Sequence, residues 1–143
     1  MRKIMVAYDG SLLSRKAIQE AKRQAAVTPV SEVHIVTVIK ATGPSTNVLL
    51  SRNIENELAD KFRPQMESIK REFENENIPV YTDFLFGENN QNPGEKICSY
   101  AENNAIDLII VGSRGLGKVK NLLLGSVSNN IVHHATCPVL IMK

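Results

Sequence analysis

At 143 residues the chain has the size of one ordinary domain and is long enough to bury a hydrophobic core. A composition 43% hydrophobic and 22% charged excludes intrinsic disorder. The net charge of +2, from 17 basic and 15 acidic residues, is too balanced to argue for a nucleic-acid or membrane-surface partner.

Ile4 to Tyr8 is a nearly continuous apolar run, the pattern of a strand covered on both faces, and Asp9-Gly10-Ser11 ends it. Ser11 is placed to N-cap a helix whose Leu13, Ala17, Ala21 and Ala25 recur every four residues, and Thr28-Pro29 closes it. Val33 to Ile39, rich in β-branched residues, is the second strand. Lys40 to Asn47 reads as a loop.

The longest periodic segment follows. Leu50, Ile54, Leu58, Phe62, Met66, Ile69 and Phe73 form one stripe of an amphipathic helix. Pro64 lies inside it and is expected to kink it or divide it, because a proline in a regular helix costs about 3 kcal/mol. Val80 to Phe86 alternates more than the other strands, as an edge strand does, and Gly87 to Gln91 is a polar loop.

Asn92-Pro93-Gly94-Glu95 supplies a cap, a first-turn proline and a capping-box acid for a helix to about Asn104. Asp107 to Val111 is the fourth strand. A glycine-rich stretch then leads to a helix from Val127 to Ala135, which Thr136-Cys137-Pro138 stops. Val139 to Met142 is a wholly apolar fifth strand.

Cys98 and Cys137 lack metal-ligand spacing and read as small buried hydrophobes in a reducing compartment. The first residues reach Asp9 too soon for a signal peptide, and no apolar run approaches a membrane helix, so a cytoplasmic location is expected. No repeat or linker interrupts the alternation of strands and helices. The expected architecture is a single-domain, doubly wound α/β fold: a five-stranded parallel sheet with helices on both faces. In such sheets ligands bind at the carboxyl ends of the strands, where the strand order reverses.

The stretch from Gly112 to Ser126 carries the chemistry. A buried strand ends in glycines and restarts as a helix, so backbone amides can approach an anion and the helix dipole adds positive charge there. Arg114 and Lys118 lie beside it, although Lys118 reads as a solvated loop charge. Gly112 to Lys118 fits the start of a Walker A loop, but Val119 stands where Ser or Thr would hold Mg²⁺. The dinucleotide fingerprint fails as well, with Lys120 in the place of its third glycine.

The longer pattern G-x2-G-x9-G-[ST] is met by Gly112, Gly115, Gly125 and Ser126. With it, the opening Ile4-Met-Val-Ala-Tyr-Asp9-Gly10-Ser11, the strand Asp107 to Gly112 and the closing Val132 to Ile141 give the chain a strong resemblance, from end to end, to the ATP-binding branch of the universal stress proteins. The resemblance implies an adenine nucleotide hydrolase-like sheet of strand order 3-2-1-4-5.

It also implies an ATP site. In it Asp9 would accept from the ribose hydroxyls and the Val38 backbone would meet the adenine edge. Amides around Gly112, Gly115, Gly125 and Ser126 would hold the phosphates, helped by Arg114 and the Ser126 hydroxyl. Ala7, Tyr8, Val111 and Val127 would flank these contacts, and Mg²⁺ would be held mainly by the phosphates. The family's pairing of the last strand implies a homodimer through Val139–Met142, which would cover a sticky edge.

Plainer readings of the same residues exist. Asp9-Gly10-Ser11 alone is a turn and an N-cap, Tyr8 and Tyr100 read as core, and His133 and His134 suit a helix C-terminus. No general base is evident near the loop, so the implied role is a nucleotide-dependent regulatory module in stress response. A slow Mg-dependent ATPase and a dimeric scaffold that does not use nucleotide are the alternatives.

Overall fold

Among the described residues nine elements alternate: β1 (Lys3–Ala7), α1 (Leu12–Val27), β2 (Glu32–Ile39), α2 (Val48–Asn75), β3 (Val80–Phe86), α3 (Pro93–Asn103), β4 (Leu108–Gly112), α4 (Ser126–His134) and β5 (Val139–Met142). The computed structural model describes residues 1–29, 31–40, 48–87, 91–114 and 124–143, and of residues 48–52 the backbone alone. Most of the loops expected at Lys40–Asn47 and Gly87–Gln91, together with Gly115, Lys118 and the side chain of Leu50, lies outside the described residues.

All strand pairings are parallel and the order is β3-β2-β1-β4-β5, as the family resemblance implied. The strands β1, β2 and β4 are buried almost throughout because both faces are covered. On one face Ile4, Val6, Val33, Ile35 and Ile110 meet Ile18 and Ala21 of α1 and Met66, Ile69 and Phe73 of α2. On the other, Met5, Val36, Ile109 and Val111 meet Ile97, Cys98 and Ala101 of α3 and Ile131 of α4. The alternating strand β3 lies at one edge, as its pattern suggested, and β5 at the other.

Pro64 does not divide α2, which runs unbroken from Val48 to Asn75. Its ring is exposed, and Met66, Ile69 and Phe73 beyond it are fully buried. Each such side chain contributes about 1.5–3 kcal/mol on burial, so the three together outweigh the roughly 3 kcal/mol cost of the proline. Two polar links then fasten α2 to α1, because Glu72 accepts from Arg15 at 2.6 Å and from Lys22 at 3.4 Å. The Arg15 hydrogen bond holds the Glu72 carboxyl below its ordinary value.

A second polar cluster ties α3 to the sheet. His34, buried on β2, has Nε2 2.7 Å from Glu32 Oε1 and Nδ1 2.8 Å from the Tyr100 hydroxyl. A carboxylate only accepts, so Nε2 donates to Glu32, while Nδ1 shares its hydrogen bond with the Tyr100 hydroxyl. Tyr100 thus joins the core as expected, though through its hydroxyl as well as its ring. Cys98 and Cys137 are both free; Cys98 is buried as expected but Cys137 is only half-buried, and burial raises both thiols above their ordinary value. Among the described residues no helix is long and apolar enough to cross a membrane.

The helices α2 and α3 end alike. The Ile78 amide reaches back to the Phe73 carbonyl at 3.0 Å, and the Ile106 amide to the Ala101 carbonyl at 2.9 Å. Each closure places the preceding residue in the left-handed region, Asn77 at φ 59° and Ala105 at φ 53°. Asn tolerates that conformation and Ala does not. Ala105 is exposed, so Ala105→Gly relieves the strain without opening a cavity. Chemical denaturation should show this variant more stable by about 1 kcal/mol; an unchanged or lower midpoint would contradict the strain.

Candidate functional site

In a sheet ordered 3-2-1-4-5 the chain leaves β1 toward β2 on one side and returns through β4 on the other, so the β1 and β4 ends part to form a crevice. A cleft of about 420 Å³ opens there, within the range of small-molecule sites. Ala7, Tyr8 and Asp9 line it from the end of β1, Val38 from β2, and Val111, Gly112 and Arg114 from β4. Gly125, Ser126 and Val127 line it from the start of α4. Every site residue anticipated from the sequence except Gly115, which lies outside the described residues, therefore borders one cleft.

The β1 side is built by local hydrogen bonds. The Ser11 amide donates to Asp9 Oδ1 at 2.9 Å, an Asx turn that fixes the carboxylate, and Gly10 takes φ 83° to complete the bend. Ser11 Oγ caps α1 by accepting from the Ser14 amide at 3.2 Å, while the Ser14 hydroxyl donates to the Ser11 carbonyl at 2.9 Å. Asp9-Gly10-Ser11 is thus a turn and an N-cap, and its Asp9 and Ser11 also border the cleft. Asp9 is the only carboxylate, and Arg114 the only cation, among the described residues lining the cleft.

The β4 side is held by Ser113. Its amide donates to the Met142 carbonyl in β5 at 2.8 Å. Its carbonyl accepts from the Gly125 amide at 2.7 Å and from the Ser128 hydroxyl at 2.9 Å. These two bonds bring the ends of the glycine segment together whatever lies between them.

Gly125 is the N-cap of α4, and no side chain caps it among the described residues. Ser11 caps α1 and Asn92 caps α3, whereas α4 begins at the cleft, where Gly125, Ser126 and Val127 line it, with no side-chain cap among the described residues. The first amides of α4 and the helix dipole make that end attractive to an anion.

Close contacts fix the walls. A Cβ at Gly112 would stand 2.8 Å from Leu13 Cβ, so glycine is what allows β4 and α1 to meet. At Gly94 a Cβ would fall 2.7 Å from Asn130 Oδ1, so a bare glycine lets α3 seat against the Asn130 side chain of α4.

Tyr8 serves both as core and as lining. Its ring is 8% exposed and its hydroxyl donates to Gln65 Oε1 at 2.7 Å. Burial raises its pKa first, with Asp9 and Glu72 adding to the shift and Arg15 opposing it.

Sequence reasoning did not place Ser14, Val36, Pro93, Ile97 or Ser128 at the cleft. Ser14 and Ser128 carried a signal, since each lies three residues beyond a helix N-cap, where a hydroxyl can reach back. Val36, Pro93 and Ile97 carried none, because strand register and helix packing bring them there. Among the described residues no cluster of His, Cys, Asp and Glu suited to a metal ion occurs.

The universal stress protein family model matches residues 1–143. Universal stress protein YxiE of Bacillus subtilis is 30% identical over 149 residues, which cover 99% of this chain and 98% of the relative. The solved structure of MJ0577 from Methanocaldococcus jannaschii superposes with a TM-score of 0.88 at 29% identity, covering 99% of this chain and 95% of its own. An Arabidopsis thaliana family member solved with AMP bound shares the fold, with a TM-score of 0.67 at 21% identity over all of this chain and 92% of its own. A parallel α/β sheet with a cleft at its switch point and an uncapped helix terminus beside it is the class that the geometry defines. The chain belongs to the universal stress protein family.

The tight contact at Gly112 is open to test. Gly112→Ala should push α1 off β4 and lower stability by about 1–3 kcal/mol in urea. A wild-type midpoint would show that Leu13 yields without cost.

Proposed function

We propose that the chain is an ATP-binding regulatory module. The observation that carries this reading is the uncapped N-terminus of α4, set across one cleft from the fixed carboxylate of Asp9. Amides with dipolar charge suit phosphates, and a carboxylate held by an Asx turn suits the hydroxyls of a ribose. Between them Val38 and the apolar wall leave a slot for a flat base. A relative of this fold from Arabidopsis was solved with AMP bound, which supports an adenine nucleotide as the ligand.

Ala7, Tyr8, Val111 and Val127 flank the nucleotide, and Gly115, Arg114 and the Ser126 hydroxyl assist at the phosphates. Asp9 is committed to the sugar, so Mg²⁺ is held chiefly by the phosphates themselves. ATP then acts as a signal rather than as fuel, changing the surface seen by a downstream partner in stress response. A protein released from cells without added nucleotide and then denatured should yield ATP or ADP by mass spectrometry. Gly115→Asp should weaken ATP binding by about a hundredfold or more, since a carboxylate set against phosphate costs several kcal/mol. Undiminished affinity in calorimetry would move the phosphates elsewhere.

The assembly we propose is a homodimer through β5. Val139, Leu140, Ile141 and Met142 are each only partly buried on a strand with one described neighbour, β4. A second copy would cover that edge. Val139→Asp should elute as a monomer from a sizing column, where an unchanged dimer would rule out this edge as the interface.

A further inference from the structure

The α2 helix borders the cleft's rear without lining it. Gln65 is an exposed residue on α2, yet its Oε1 accepts the hydrogen of the buried Tyr8 hydroxyl at 2.7 Å. One turn earlier, Phe62 stands edge-on to the Tyr8 ring with centroids 6.4 Å apart. The same two residues back Gly10, where a notional Cβ would lie 3.5 Å from Phe62 Cε1 and 3.7 Å from Gln65 Oε1. Asp9 sits between Tyr8 and Gly10, and its own hydrogen bonds among the described residues are local, to Ser11 and Ser14. Tyr8, next to the carboxylate, is thus held from α2, and Gly10 on its other side lies close to the same two residues.

That hold is transmitted through a fixed helix. Seven residues beyond Gln65, on the same face, Glu72 bonds Arg15 and Lys22 of α1. Removing the Gln65 bond therefore leaves α2 in place and loosens the turn instead. The Tyr8 hydroxyl would then lack its acceptor and draw toward water, carrying the turn with it. A carboxylate that must meet ribose hydroxyls is sensitive to such a shift, because hydrogen bonds weaken steeply with misalignment.

We propose that Gln65 is a positioning residue of the nucleotide site, and that its bond to Tyr8 sets how Asp9 recognises the ribose. The proposal rests on the ribose role of Asp9 in the reading above. It is tested by calorimetric affinities of the full chain for ATP and for 2′,3′-dideoxy-ATP, which lacks the hydroxyls.

The wild type should prefer ATP. Gln65→Leu should lose about fivefold in ATP affinity, the scale of one net hydrogen bond, with its affinity for the dideoxy nucleotide unchanged. Gln65→Glu keeps an acceptor and should keep the preference. Tyr8→Phe removes the same bond from the other side, so Tyr8→Phe with Gln65→Leu should have no smaller a preference than the weaker single variant.

A Gln65→Leu protein that keeps the full preference overturns the proposal and leaves the ribose role of Asp9 standing. Equal losses for both nucleotides also overturn it, since they mark a merely structural residue. A wild type that binds ATP without preferring it removes the ribose role and this proposal together, while the cleft remains a nucleotide site. A wild type that binds neither nucleotide ends both readings.

Discussion

The pairing of β1 with β4 is the constraint on which the cleft depends. These strands are about a hundred residues apart in sequence, yet Ile4, Met5 and Val6 lie opposite Leu108, Ile109 and Ile110. Their register matters more than their pairing alone. A strand buried on both faces presents apolar side chains in either phase, so hydrophobicity by itself fixes register weakly here. Asp107 supplies what is missing: its Oδ2 accepts the Lys3 amide at 2.8 Å, and its own amide donates to the Lys3 carbonyl at 2.8 Å. At the opposite end, the bare Gly112 lets Leu13 close in. With both ends pinned, the residues that leave β1 and β4 emerge side by side.

Helix termini then divide into structural and available ones. Ser11 and Asn92 spend their side chains on the first amides of α1 and α3. Gly125 has no side chain to spend, and its neighbourhood is ordered instead by Ser113 and Ser128, whose bonds lie behind the helix start. The Gly125 amide, anticipated among the phosphate donors, is spent on the Ser113 carbonyl at 2.7 Å, so an anion is left the amides of the first α4 residues beyond it. An N-cap of Ser or Asp at this position would be better for the isolated helix and worse for an anion. Local stability has been traded for an open terminus, as functional sites commonly do.

The long helix α2 shows how packing overrides a local rule. Pro64 removes one backbone donor and crowds the preceding turn, but it faces solvent while the apolar stripe passes on the opposite side. The seam toward α1 is polar: Gln65 meets Tyr8, and Glu72 meets Arg15 and Lys22. These bonds give α2 one azimuth against its neighbour, which apolar contacts alone specify less sharply. They also link the first turn of the cleft to the middle of a helix distant in sequence.

Much of this was legible in the chain itself. The strands were visible as apolar or alternating runs, α1 and α2 as stripes of period near four, α3 and α4 through their starts and stops, and their alternation implied a parallel sheet. Asp9 and Gly125 stood out because an Asx turn and an uncapped helix start are local, and Gly112 through its glycine spacing, although its close approach to Leu13 needed the fold. The sequence could not show that α2 would pass Pro64 undivided, because the burial of Met66, Ile69 and Phe73 that outweighs the proline exists only against the sheet. Nor could it place Val36, Pro93 and Ile97 at the cleft or join Gln65 to Tyr8, residues 57 apart. Periodicity and capping act over a few residues and are written in order along the chain. Register and helix azimuth arise from contacts between distant segments, so only the folded structure decided them.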